Sequence, residues 1–135
     1  MELKFESELE RGTLPFLQNQ MFKFCWQVPI GNKVIDLAAI DSNGNLVGIE
    51  YKLHDWKKAI KQAKNNANGF DFSYIFVPQK KFRKNILDEA RSSGVGILTL
   101  LDDFSVVELL PPVKNENKWI PKTEYLVKYI IERGC

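Results

Sequence analysis

The chain has 135 residues, 44% hydrophobic and 27% charged, with 19 Lys and Arg against 17 Asp and Glu for a net charge of +2. That length fits one domain, and the composition excludes a disordered or fibrous chain. The charge balance does not by itself demand a polyanionic partner. No stretch reaches the ~18 apolar residues of a membrane-spanning helix, and the two distant cysteines, Cys25 and Cys135, do not make a disulfide framework, which points to a reducing, cytoplasmic setting.

The first predicted element is an amphipathic helix over "ELKFESELERGTLPFLQNQ", with Leu3, Leu9, Phe16 and Leu17 on its apolar side. Ser7 and Glu10 have capping-box spacing, and Gly12 and Pro15 are expected to interrupt the helix. "MFKFCWQVPI" alternates Phe22, Phe24 and Trp26 and reads as a strand ended by Pro29 and Gly31. "KVIDLAAID" and "NLVGIEYKL" around "SNG" read as a hairpin. The helix "HDWKKAIKQAKNNANGF" has Asp55 as N-cap and Gly69 as its stop, with Trp56, Ala59, Ile60, Ala63 and Ala67 on one face. "FDFSYIFVP" is a strand, and "KKFRKNILDEARSSG" a helix with Phe82, Ile86, Leu87 and Ala90 inward and Gly94 as C-cap. Strands "VGILTLL" and "FSVVELL", a Pro- and charge-rich linker and the helix "TEYLVKYIIERG" complete the chain. This order predicts a mixed sheet with helices on its faces, of the α/β or α+β class.

The hairpin carries Asp36, Glu50 and Lys52 inside its strands, where charge is uncommon. A three-residue loop Ser42-Asn43-Gly44, with Gly44 in the left-handed region, sets Asp41 against Asn45. Counting back, Ile40 opposes Leu46, Ala38 opposes Gly48 and Asp36 opposes Glu50, with Lys52 next along the same face. Ile35, Leu37, Ala39, Val47, Ile49 and Tyr51 then form an apolar opposite face. A two-residue Asn43-Gly44 loop would instead separate Asp36 from Glu50 and mix both faces. The cluster reads in two ways. It is an ion pair on a solvated face, or two carboxylates forming a hard-oxygen site for Mg²⁺ or Mn²⁺ beside a lysine that positions water or stabilises a phosphoryl transition state.

These residues resemble the PD-(D/E)xK nuclease superfamily. Asp36 stands on the second strand of a meander and Glu50-Tyr51-Lys52 at the end of the third, with a helix following. Ile35 stands where the family has its proline. The resemblance spans roughly residues 2 to 110 and implies a restriction-endonuclease-like αβββαβ core, a central mixed sheet flanked by helices. Residues 1–112 are expected to form that core, and 113–135 a linker and a C-terminal helix packing on the core or on a partner. The implied activity is Mg²⁺- or Mn²⁺-dependent hydrolysis of DNA phosphodiester bonds. Asp36, Glu50 and the Tyr51 carbonyl are the implied metal ligands, with Lys52 positioning water. The resemblance adds an acid from the first helix, for which Glu8 is preferred over Glu6, and a glutamine from the following helix, Gln62.

Lys57, Lys61 and Lys64 lie along one flank of that helix, and Lys80, Lys81, Arg83 and Lys84 cluster at the start of the next. Such runs are ordinarily solvated faces, and beside a nuclease site they are candidate phosphate contacts. His54 is expected to be a loop residue and Cys25 a packing residue. DNA is the expected partner. A homodimer would supply two sites for two strands, and no organic cofactor or membrane is expected. The competing reading is a nucleic-acid-binding or protein-interaction module on the same fold that does not cleave.

Overall fold

The computed structural model describes residues 3–78 and 83–133. Its sheet is organised around the hairpin at Ser42–Gly44. Gly44 takes φ +84, its N–H donates to the Asp41 carbonyl (3.0 Å), and the Asp41 N–H donates to the Asn45 carbonyl (2.9 Å). This is the three-residue loop with a left-handed glycine. It joins β2 (Lys33–Asp41) to β3 (Leu46–Tyr51) with Ile40 opposite Leu46 and Ala38 opposite Gly48, the register expected from the turn.

β1 (Met21–Ile30) pairs antiparallel with β2 on the outer side. Beyond β3 come β4 (Phe72–Pro78) and β5 (Gly96–Leu100), both parallel, and then β6 (Val106–Leu110), antiparallel at the far edge. Six strands in chain order make one mixed sheet. Its parallel pairs require crossovers, which α2 (Trp56–Asn66) and α3 (Lys84–Ser93) supply. Asp55 caps α2 through Lys58 N–H, and Gly94 closes α3 at φ +71.

One face of the sheet is covered by α1 (Glu6–Gln20), whose Leu9 and Leu17 pack on Leu37, Val47, Ile49 and Tyr51. The other face carries α2 and α3 over Ile75, Val77 and Ile97, and α4 (Ile120–Arg133) over Ala38, Ile40 and Leu46. Leu126 and Ile130 of α4 are fully buried there. None of the described helices is long and apolar enough to cross a membrane.

Four details differ from expectation. Helix α1 runs unbroken through Pro15, and Gly12 lets it approach the sheet: a Cβ there would lie 2.6 Å from Leu100 Cδ2. The helix starts at Glu6, with Glu8 rather than Glu10 reaching back to the cap. Cys25 is in a disulfide, against the expectation of unbridged thiols, and Cys135 lies outside the described residues. The fourth bears on the site. Gln27 takes a left-handed φ of 53 opposite Asp36, and strand alternation breaks there. Ile35 packs with Ala38 and Ile40 under α4 rather than with Leu37 under α1.

Candidate active site

Asp36 lies where β2 and β3 part. The last ladder pair on that side is Leu37 with Ile49. The next N–H of β3 that needs a partner, that of Tyr51, donates to Asp36 Oδ2 at 2.8 Å instead of to a β2 carbonyl. The carboxylate thus substitutes for backbone and is fixed in place, with its second oxygen outside that bond.

Glu50 faces Asp36 across this gap and is only 6% exposed. Its Oε1 accepts from Asn66 Nδ2 of α2 at 3.1 Å. Burial, and then the neighbouring Asp36 carboxylate, push the Glu50 carboxyl up from 4.5 to about 8, although the Asn66 amide pulls the other way. Near neutral pH Glu50 therefore retains its proton.

Helix α1 adds acids one turn apart. Burial, followed by Asp36 and Glu6, raises the Glu10 carboxyl. Glu6 Oε2 lies 3.9 Å from Lys52 Nζ. Glu8, the expected contributor, is committed elsewhere: its Oε1 accepts the N–H groups of Lys4 and Phe5, each at 3.0 Å, and so caps the helix. Lys52 is half-buried and directed to Glu6. Among the described residues it makes no ion pair with Asp36 or Glu50.

The Tyr51 side chain is structural. Its ring stacks on Phe76 with centroids 5.3 Å apart, and its hydroxyl meets Thr13 Oγ1 at 3.1 Å. Only its backbone belongs to the site. Gln62 and Asn66, one turn apart on α2, line a pocket of about 330 Å³ with Glu50, Lys33, Val34 and Asn65. The Gln62 Oε1 atom is buried, with no hydrogen-bond partner among the described residues. The C-terminal segment holds this end of α2. Lys122 Nζ donates to the Asn66 carbonyl (3.1 Å) and Asn68 Oδ1 (2.6 Å), and Thr123 Oγ1 to the Gly69 carbonyl (3.0 Å). The linker is anchored in turn by Lys118, 2.6 Å from the buried Asp71 carboxylate.

The structure therefore brings Asp36, Glu50, the Tyr51 backbone and Gln62 together, with Lys52 on the α1 side. Glu10, Asn66 and Lys33 join the site without having been expected in it. Repeating acids at 6 and 10 and amides at 62 and 66, each four apart on a helix, were the available signal. Lys57, Lys61 and Lys64 are exposed along α2, and Arg83 and Lys84 are exposed at the start of α3, whereas Lys80 and Lys81 lie outside the described residues. His54 is exposed. Among the described residues, no three His, Cys, Asp or Glu side chains converge tightly enough to hold a metal by themselves. A magnesium site needs only one or two carboxylates, the rest being water and substrate oxygens.

No protein-family model matches the chain, and no curated protein matches it in sequence. Solved structures do resemble it. A protein of unknown function from Silicibacter pomeroyi superposes with a TM-score of 0.72 at 15% identity, covering 99% of this chain and 88% of that one. EndoMS in its complex with double-stranded DNA gives 0.55 at 18% identity over 75% of this chain, and a repair endonuclease from Pyrococcus abyssi gives 0.50 at 17% over 72%. The chain matches 47% of the length of each of these two endonuclease chains. At such identities the likeness is one of fold: the mixed sheet with flanking helices is an α+β architecture that repair endonucleases also possess.

Proposed function

We propose that this chain is a divalent-metal-dependent phosphodiesterase of the PD-(D/E)xK superfamily that hydrolyses DNA. The observation that carries the reading is the buried Glu50 set against Asp36 with no cation paired to either among the described residues. A fold does not keep two facing carboxylates in a half-buried gap for stability, because each raises the cost of ionising the other. Their hard oxygens fit Mg²⁺ or Mn²⁺, which would relieve that cost.

Asp36, Glu50 and the Tyr51 carbonyl would hold the ion, with Glu10 replacing Glu8 as the acid from α1. When bound, the ion supplies Lewis-acid polarisation of a phosphoryl oxygen and a lowered water pKa. The chain's own residues do the rest. The Tyr51 N–H aims Asp36, and Asn66 aims Glu50. Lys52, held near Glu6, would supply positive charge to an attacking water and the phosphoryl oxygens. Lys57, Lys61 and Lys64 would contact backbone phosphates, which position a nucleic acid without reading its sequence. That a chain of this fold binds duplex DNA in the EndoMS complex supports DNA as the substrate.

Calorimetry with Mn²⁺ tests the proposal. At pH 7 binding is expected to release roughly one proton, read from the buffer dependence of the enthalpy, because Glu50 must ionise. Asp36→Asn should lose the binding. No Mn²⁺ binding by the unaltered protein, or equal binding by Asp36→Asn, would overturn it.

A further inference from the structure

The pocket beside Glu50 holds groups that metal chemistry does not use. It has a volume of about 330 Å³, within the range of small-ligand sites. Lys33 enters it from the start of β2, just after the tight turn at Gly31 and Asn32. This lysine is exposed and makes no ion pair among the described residues. Asn65 and Asn66 contribute side-chain amides from α2, and among the described residues one Asn66 donor is spent, on Glu50. Behind Asn66 stands a second ammonium, Lys122 of α4, bonded to two oxygens at the end of α2. Burial and then the charge of Lys33 lower the Lys122 pKa, so the two cations feel one another. Two ammonium groups and the side-chain amides of Asn65 and Asn66, gathered at one cavity, form a place for an anion.

We propose that this pocket is a phosphate subsite, in which Lys33 and the amides of Asn65 and Asn66 hold the backbone phosphate adjoining the one at Asp36 and Glu50. The assignment rests on the phosphodiesterase reading for the identity of its ligand. It gives the C-terminal helix a part in the site: Lys122 fixes the Asn66 backbone and adds charge behind it. It also sets the path of the nucleic acid, which leaves the carboxylate pair over the β1–β2 turn rather than only along the Lys57, Lys61 and Lys64 flank. Lys33 is a binding contact here, and Lys122 a positioning residue.

The test is a titration of the metal-free protein with inorganic phosphate, followed by NMR of its backbone amides and Asn side-chain amides. Phosphate is expected to shift the Asn65 and Asn66 signals in the unaltered protein and in Lys33→Arg. In Lys33→Glu the affinity should fall at least about tenfold. With DNA, Lys33→Glu should reduce the slope of log affinity against log salt by about one. Shifts confined to Lys57, Lys61 and Lys64, or phosphate and DNA binding unchanged in Lys33→Glu, would overturn the subsite. The titration requires neither metal nor turnover. Phosphate binding without DNA cleavage would therefore uphold the subsite and sink only the enzymatic reading, whereas normal cleavage with unchanged binding in Lys33→Glu would sink only the subsite.

Discussion

Glu50→Gln is expected to stabilise the metal-free protein at alkaline pH and to remove a specific pH dependence. The Glu50 carboxyl goes from 4.5, its ordinary value, to about 8 in the folded chain. The folded state therefore holds a proton that the unfolded state has given up between those values. Stability from this group is fully present below about 4.5, declines by about 1.4 kcal/mol per pH unit, and is gone above about 8. Between pH 5.5 and pH 8.5 the loss is on the order of 3 kcal/mol, a large part of the stability of a domain this size. Glutamine keeps the shape and the Asn66 contact without a titrating proton. Urea unfolding in EDTA at both pH values, for the two proteins, reads the difference directly. The unaltered protein should lose about 3 kcal/mol more than Glu50→Gln over this window. Saturating Mn²⁺ at pH 8.5 should restore about 2–3 kcal/mol to the unaltered protein alone, for free ion near 100 times its dissociation constant. Equal loss in both proteins would refute the reasoning, because it would mean that Glu50 ionises in the fold without cost.

Two further substitutions separate structural acids from functional ones. Glu8→Ala should lower stability by about 1 kcal/mol through the lost cap and leave Mn²⁺ affinity unchanged, whereas Glu10→Gln should weaken Mn²⁺ binding with the fold intact; calorimetry and thermal melts read both. Lys118→Met leaves the Asp71 carboxylate buried with only its Leu46 N–H donor among the described side-chain bonds. It should cost about 3 kcal/mol in urea unfolding, the low end of the range for breaking a buried pair, since Lys118 is partly exposed.

Much of the site was legible because one turn set it. Gly44, with its positive φ, determines the hairpin register, whose last pair, Leu37 with Ile49, leaves Asp36 and Glu50 as neighbours just beyond it. Helix α2 was equally readable: Asp55 caps it, and its apolar spacing puts Gln62 at the rim. The α1 acid was not readable, because the sheet-facing residue depends on helix phase. Pro15 and Gly12 suggested a break that packing against Leu100 overrides. Once the helix runs unbroken from Glu6, residues 6 and 10 share the flank toward Asp36 and Glu8 turns to the cap. The break in strand alternation opposite Asp36 left no trace in composition, since Gln27 carries none of the glycine signal that marks a left-handed residue. Lys33 and Lys122 are 89 residues apart and meet only through the packing of α4 on the sheet.

If Asp36 and Glu50 form a metal-dependent hydrolytic site, the protein cleaves DNA through them. Duplex, nicked, junction and single-stranded DNA should be incubated with Mg²⁺ or Mn²⁺ and the unaltered protein, with Asp36→Ala, Glu50→Ala and Lys52→Ala in parallel. Cleavage of at least one DNA form that needs the ion and vanishes in all three variants, each folded by circular dichroism, is the predicted result. Cleavage that persists undiminished in Asp36→Ala would contradict the account.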